Sequence, residues 1–251
     1  MSIQLSLNGL SFSTLDTITN KLLHSNKITF KTEATPYLLL RDLKSLFHKE
    51  NILDQKFEEV VVIHHNNFYG LVPKSLFDKE VLSNYIKFNT KLFANDEIIY
   101  DFVNPEIICV YVPFTNINNY LFECFGEFEF KHGSTVILQN LMHQNSNKTI
   151  CYTHVGSKSI EVAILDQRKL LFYNQFNYKT KEDFLYYILF TYEQLRLSVN
   201  DIELKLFGNI DSDSDLFEIC NKYIKHVSVF IPKHGVDNYN NIPFNLTFFG
   251  N

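Results

Sequence analysis

The chain has 251 residues, of which 45% are hydrophobic and 20% charged, and its formal net charge is −5. This hydrophobic content excludes an intrinsically disordered or fibrous chain and is enough for one large domain or two medium ones. Only 8 residues are glycine, and neither GxGxxG nor GxxxxGK(S/T) occurs. Because both phosphate loops need glycine where the backbone approaches the ligand, Rossmann-type and P-loop nucleotide enzymes are excluded as well.

The first half of the chain opens with strand-like segments. Ile3 to Leu7 and Leu10 to Leu15 alternate apolar and polar residues around a turn at Asn8-Gly9, and a third segment follows Asp16 and reaches Phe30. This period of two predicts a meander of three strands.

A helix, a strand, a second helix and a second strand are predicted next. Thr35 before Pro36 is typical of a helix N-cap followed by proline at the first helical position, and this helix extends to about Lys49. The run Glu59 to Ile63 is almost continuously apolar, which suits a strand covered on both faces. We expect the second helix at Asp78 to Asn89 and the second strand at Ile107 to Val112.

The second half repeats this order of elements. Thr149 to Val155 and Ser159 to Leu165 flank the turn Gly156-Ser157-Lys158, and the strand Lys169 to Phe176 follows Asp166. Thr180 and Asp183 form a capping box, which predicts a helix with its apolar face at Phe184, Ile188, Thr191, Tyr192 and Leu195. The remaining predicted elements are a strand at Ile202 to Phe207, a helix at Asp215 to Tyr223 and a strand at Val227 to Ile231.

The order β-β-β-α-β-α-β therefore occurs twice. The polar stretch Gln144 to Lys148 separates the copies, so we predict a first domain at 1–146 and a second at 147–251 that ends in a polar tail from Lys233 to Asn241. A hairpin around Asn66 to Val72 and a strand near Glu97 to Val103 are extra material in the first copy. We interpret them as an insertion near 65–103.

Several properties bear on the setting in which the protein works. The four cysteines lie far apart without CxxC spacing, which favours reduced, mostly buried thiols in a cytoplasmic protein. The first residues lack a basic segment followed by an apolar one, and the apolar runs are far shorter than the roughly 18 residues of a membrane span. Lysine and arginine are dispersed, without a basic stripe. We therefore expect no signal peptide, no membrane span and no nucleic-acid partner.

Two tandem β-β-β-α-β-α-β units, each with a glycine turn between its first two strands, resemble the actin-like ATPase superfamily, whose domains are ribonuclease H-like. The segments that begin at His154, Leu170 and Glu182, together with Tyr69-Gly-Leu-Val-Pro73, are similar to a bacterial family described as a domain of unknown function, number 3822. The resemblance covers nearly the whole chain. It implies an α/β actin-like fold and leaves the function open.

The resemblance also implies where a nucleotide would bind. The superfamily holds the phosphates of ATP between two turns of the form Asp-x-Gly-Ser/Thr, whose aspartates organise a magnesium ion. Here Leu7 and His154 stand at the aspartate positions, and Leu206-Phe-Gly-Asn209 matches the adenosine-binding turn only in part. The degenerate nucleotide-binding positions are Gly9, Ser11, Gly156, Ser157, Lys158 and Gly208.

Leucine offers no ligand to a hard cation and histidine is a poor substitute, so we expect no ATP, magnesium or other cofactor. The residues support no catalytic or metal-ligating assignment. Our preferred hypothesis is a catalytically inactive interaction or scaffold module whose partner is another protein, with homo-oligomers as a further option. The alternative is a divergent ATPase or small-molecule kinase that recruits its metal through Asp16 or Asp166.

Other polar residues admit two interpretations each. Ser157 and Lys158 could contact an anion or belong to a tight, solvated turn, and His154 could be a ligand or general base or make an ordinary hydrogen bond. His64 and His65 should point to opposite faces of a strand, which argues against a shared metal ion. The run from Asp211 to Asp215 departs from a calcium loop and is better interpreted as a helix cap. An aromatic-rich group suits either a core or a partner groove: Phe102, Phe114, Phe122, Phe125, Phe128 and Phe130.

Overall fold

The computed structural model of the protein describes residues 1–19, 21–88, 90–93, 96–144 and 146–230. The chain forms two compact units, Met1–Gln139 and Asn140–Asn251. The predicted polar tail from Lys233 to Asn241 lies outside the described residues.

We number the strands and helices in chain order, and the first twelve run from the start of the chain to the helix that spans the division between the units. They are β1 (Ser2–Ser6), β2 (Gly9–Asp16), β3 (Lys21–Thr29), α1 (Pro36–Lys49), β4 (Val61–His65), β5 (Tyr69–Pro73), α2 (Ser83–Ile86), β6 (Ile99–Asn104), β7 (Ile107–Tyr111), α3 (Thr115–Phe125), β8 (Glu129–His132) and α4 (Gly133–Met142). Short 3-10 helices lie at Ile52–Asp54, Lys74–Leu76 and Lys79–Val81.

The main sheet of the first unit has five strands in the order β3-β2-β1-β4-β8. β1, β2 and β3 are antiparallel neighbours, whereas β4 is parallel to β1 and β8 is parallel to β4. Parallel neighbours need a crossover connection, and α1 and α3 lie in these crossovers.

Local sequence explains how α1 begins and which face it buries. The Thr35 hydroxyl accepts a hydrogen bond from the Leu38 N–H, which confirms the predicted N-cap. The core of the first unit lies between the main sheet and the helices α1 and α3. It includes Ile3, Leu5, Leu39, Leu43, Phe47, Ile117 and Leu121.

The second unit contains β9 (Thr149–Val155), β10 (Ser159–Asp166), β11 (Lys169–Asn177), α5 (Lys181–Gln194), β12 (Glu203–Gly208), α6 (Asp215–Tyr223) and β13 (Val227–Val229). Its sheet has the order β11-β10-β9-β12-β13, which is the strand order of the first unit repeated. The capping box of Thr180 and Asp183 is present at the start of α5, and Phe184, Ile188 and Tyr192 of that helix are buried in the core. The predicted duplication is therefore seen in the sheet order of both units.

The insertion differs from the prediction. β5, β7 and β6 form a separate three-stranded sheet, so the run Ile107–Tyr111 belongs to the insertion and is not the last strand of the first repeat. The predicted helix at Asp78 to Asn89 is likewise part of the insertion, and over the described residues 78–88 the helical segments are Lys79–Val81 and α2. α3 and β8 are instead the second helix and the last strand of the first repeat. A buried apolar strand has the same pattern in either sheet, so only its pairing decides where it belongs.

The unit boundary lies within α4 and not in the polar stretch that follows it. Leu141, in the last turn of α4, lines a small pocket with Ile150, Tyr152 and Leu165 of the second unit. The division between the units falls at Gln139/Asn140, seven residues before the predicted boundary at 146/147. No helix in the described ranges is long and apolar enough to cross a membrane.

Candidate functional site

The turn between β9 and β10 contains three of the sequence-predicted site residues. The Gly156 N–H donates to the Ser159 carbonyl at 2.8 Å, and the Tyr178 hydroxyl donates to the Gly156 carbonyl at 2.9 Å. Ser157 and Lys158 are exposed at the tip of this turn. The turn is therefore a tight connection between two strands, and the Gly156 N–H already donates a hydrogen bond within it.

Gly208 lies beside the same turn, because β12 pairs with β9 and places Gly208 opposite Val155. Its φ angle is +93°, a conformation that favours glycine. A Cβ atom at this position would lie 2.6 Å from Cδ2 of His154 and 2.6 Å from the Val155 carbonyl oxygen. Gly208 therefore allows β12 to end against the His154 ring.

His154 is almost completely buried and belongs to a polar cluster on the sheet. Its Nδ1 lies 2.8 Å from Oε2 of Glu161, a residue directly opposite on β10. The hydroxyl of Tyr173, on β11, donates to the other carboxylate oxygen of Glu161. An ionised carboxylate only accepts hydrogen bonds, so with Glu161 ionised the donor of this contact is Nδ1 of His154.

Sequence reasoning missed this cluster, although a signal for it was present. His154 and Glu161 are placed symmetrically about the Gly156 turn, so counting outward along the hairpin brings them into register. The hydrogen-bonded interpretation of His154 agrees with this geometry. Its partner Glu161, from the next strand, is the residue that the motif search did not consider.

The first turn differs from the second. Gly9 is the first residue of β2 and pairs with Ser6, so Gly9 follows its turn, whereas Gly156 opens the longer turn after β9. The two turns therefore differ in length and in the place of their glycine. The Asn8 N–H donates to the Ser6 hydroxyl at 3.1 Å.

The two remaining first-turn positions are engaged within the fold. Leu7 packs against the hydrophobic core of the first unit. The Ser11 hydroxyl donates to Oε1 of the buried Gln4 at 3.4 Å. The Leu7 side chain has no oxygen atom to offer a metal ion. The Ser11 hydroxyl has one, but it is hydrogen-bonded to Gln4 within the unit.

Neither turn carries a carboxylate at the position that the resemblance assigns to a magnesium-organising aspartate. Mg²⁺ prefers oxygen ligands in near-octahedral geometry, and the two aspartate positions hold the core residue Leu7 and the buried His154. The amides of Asn8 and Gly156, which would otherwise face phosphate oxygens, donate within their own turns.

Asp16 and Asp166 are not near the turns of their own units. Asp16 is at the opposite end of β2 from Gly9, a separation of roughly 20 Å along a strand of eight residues. Its carboxylate accepts hydrogen bonds from the N–H groups of Ile18 and Thr19. Asp166 pairs with Thr149 at the start of β9, whereas Gly156 follows the end of that strand. Neither carboxylate therefore lies beside the glycine turn of its own unit.

His64 and His65 point to opposite faces of β4, as predicted. Nδ1 of His64 accepts the Phe114 N–H at 3.3 Å, and its Nε2 donates to Oδ1 of Asn118 at 3.0 Å. Burial lowers the pKa of His64 to about 3, so the ring is neutral and structural. The His65 ring stacks on His132 instead.

A second buried polar cluster joins the insertion to β8. Asp101 accepts hydrogen bonds from the Tyr111 hydroxyl at 3.1 Å and from the His132 N–H at 2.8 Å. Burial raises the pKa of Asp101 to about 6, although these hydrogen bonds oppose the shift. The sequence analysis did not single out Asp101, since its partners come from β7 and β8.

The other predicted polar motif is structural. Ser214 caps α6, accepting the Phe217 N–H through its hydroxyl and donating to the Asp211 carbonyl. This confirms the cap interpretation of the run from Asp211 to Asp215. Across the residues that the structure describes, no cluster of three or more His, Cys, Asp or Glu side chains could hold a metal ion. All four cysteines are free thiols, and three of them are buried.

The aromatic group divides between core and surface. Phe114 is buried, and Phe125, Phe128 and Phe130 pack against the core of the first unit. Phe102 and Phe122 are exposed. Core packing therefore accounts for most of this group.

The repeated β-β-β-α-β-α-β order and its sheet topology define an actin-like ATPase fold. The structure is similar to the crystal structure of a Bacteroides thetaiotaomicron protein with an actin-like ATPase fold and unknown function. The TM-score is 0.76 and the identity 24%, over 91% of this chain and 89% of that one. A type IV pilus biogenesis complex of PilM and PilN contains a chain with a TM-score of 0.59 and 11% identity, over 92% of this chain and 87% of that one.

Residues 1–227 match the family described as "Protein of unknown function (DUF3822)", and the chain belongs to this family. A comparison with curated proteins finds no match. The predicted family and fold class are thus confirmed.

Proposed function

We propose that the protein is a catalytically inactive actin-like module that binds another protein. The observation that carries the proposal is the buried pair of His154 and Glu161, because His154 stands two residues before Gly156, where the resemblance to actin-like ATPases implies a magnesium-organising aspartate. An internally bonded histidine leaves no carboxylate there for the metal on which ATP chemistry depends.

The proposal that the protein binds another protein is supported by the similarity of its fold to a chain of a protein complex. A chain of similar fold occurs in the PilM–PilN complex of type IV pilus biogenesis, which shows that this architecture can serve in a protein assembly. We further propose a cytoplasmic location, which the four free thiols support, since free cysteines persist in reducing compartments.

Calorimetry with Mg-ATP and a sensitive phosphate-release assay test the absence of catalysis. We expect no binding heat and phosphate release at the level of buffer. Variants with bulky residues at Gly9 or Gly156 are the control, because a contaminating ATPase would be unaffected by them. Robust turnover that is lost in either variant would overturn the proposal.

A further inference from the structure

An aromatic pair lies on the outer face of α5. Tyr186 is 58% exposed and Phe190 39% exposed, and their rings stack with centroids 5.7 Å apart. The two residues are four positions apart and so lie one above the other on the helix. Phe184, Ile188 and Tyr192 of the same helix face the core, whereas the aromatic pair lies on the exposed side of the helix.

Acidic residues flank the pair. Glu182 lies one turn before Tyr186 and Glu193 one turn after Phe190, and both are exposed. The single base of α5 is Lys181, whose Nζ lies 3.7 Å from Oδ2 of Asp215 on α6. The outer face of α5 thus presents a stripe of acid, two aromatics and acid, which we call the α5 stripe (Glu182, Tyr186, Phe190 and Glu193).

We infer that the α5 stripe docks an amphipathic helical segment of another protein, in which lysine or arginine residues flank apolar ones. This inference rests on the proposed function and names the surface and the chemistry of the partner. Exposed tyrosine and phenylalanine supply the apolar anchor of such contacts. The two glutamates select basic over acidic partners, since charge complementarity determines specificity and register.

A second copy of the chain fits the α5 stripe poorly. If two α5 helices packed antiparallel about a two-fold axis, Tyr186 of one copy would meet Phe190 of the other. Glu182 of one copy would then face Glu193 of the other, and facing like charges are costly. The charge pattern therefore favours a basic partner over self-association.

Fluorescence anisotropy of the full chain with two synthetic helical peptides tests the inference. Both peptides carry a pair of leucines one turn apart, flanked by lysines in one peptide and by glutamates in the other. We expect the lysine peptide to bind at least about tenfold more tightly, with an affinity that falls as salt rises. Glu182→Gln with Glu193→Gln should remove most of this preference.

Variants of the aromatic pair complete the test. Tyr186→Ala with Phe190→Ala should weaken binding of the lysine peptide at least about tenfold. Tyr223→Ala is the matched control, because Tyr223 is an exposed aromatic on α6 of the same unit and should leave binding unchanged. Circular dichroism checks that each variant folds.

Several results would overturn the inference. They are failure of the lysine peptide to bind, equal binding of the two peptides, or binding that the double aromatic variant leaves intact. A peptide of residues 231–251 that binds as tightly would indicate the chain's own segment as the occupant. A dimer seen by light scattering that dissociates in the aromatic variant would indicate a second copy. The proposed function is judged separately, by the ATP assays, which do not involve the α5 stripe.

Discussion

Nδ1 of His154 lies 2.8 Å from Oε2 of Glu161 across the hairpin of β9 and β10, and both side chains are about 2% exposed. Buried polar groups are costly unless they are hydrogen-bonded, and here Nδ1 of His154 and Oε2 of Glu161 form one hydrogen bond while Tyr173 bonds the second carboxylate oxygen. His154, at which the resemblance to actin-like ATPases implies a carboxylate for magnesium, is therefore part of the internal structure of the second unit.

Restoring the missing carboxylate should destabilise the protein rather than create an ATPase. His154→Asp would bring two buried carboxylates together, and we expect the free energy of unfolding to fall by about 3–5 kcal/mol. Urea denaturation measures this loss. Combining His154→Asp with Glu161→Gln replaces the repulsion by an amide–carboxylate hydrogen bond and should recover at least about 1 kcal/mol. A stable single variant that binds Mg-ATP would contradict this account.

Gly208→Ala should also be strongly destabilising, because the added Cβ meets His154 and the Val155 carbonyl and the φ angle is +93°. We expect a loss of roughly 2–4 kcal/mol in urea denaturation. Gly126→Ala is the matched control, since Gly126 has a φ of +75° but no atom within 4 Å of the added Cβ. Its expected loss of about 1–2 kcal/mol reflects backbone strain alone. Equal losses in the two variants would show that close packing against His154 has no energetic weight.

Asp101 should make the first unit less stable as the pH rises. Its pKa is raised from 3.8 to about 6 by burial, so the folded state favours the protonated carboxyl. The stability from this group is fully present below pH 3.8 and is lost as the pH rises through about 6. The loss amounts to roughly 2–3 kcal/mol by pH 7.

The matched variant for this pH dependence is Asp101→Asn, which keeps an acceptor for the Tyr111 hydroxyl but does not titrate. Subtracting its unfolding free energies from those of the unaltered chain, pH by pH between 4 and 7, isolates the contribution of Asp101. A difference that is flat across this range would rule out a raised pKa in the folded state.

Much of the fold could be predicted from features only a few residues apart. The N-cap at Thr35 and the capping box at Thr180 and Asp183 are present as predicted, and the predicted cap segment from Asp211 to Asp215 contains the N-cap Ser214. Each depends on a hydrogen bond between near neighbours in the chain, so local sequence contains the necessary information. The repeated order of elements follows from the same local signals.

The insertion and the two polar clusters could not be derived in this way. β7 has the apolar pattern of a buried strand in either sheet, and only its pairing with β5 and β6 assigns it to the insertion. The raised pKa of Asp101 depends on burial and on partners from other strands. His154 and Glu161 meet because the turn sets the hairpin register.

Residue type and short-range spacing specify the duplicated α/β order, the helix caps and the lack of aspartate two residues before Gly9 and Gly156. The environments of Leu7 and His154 depend instead on contacts in the folded chain. Leu7 joins the core and His154 pairs with Glu161, since burial and strand register are set by contacts between segments distant in the chain.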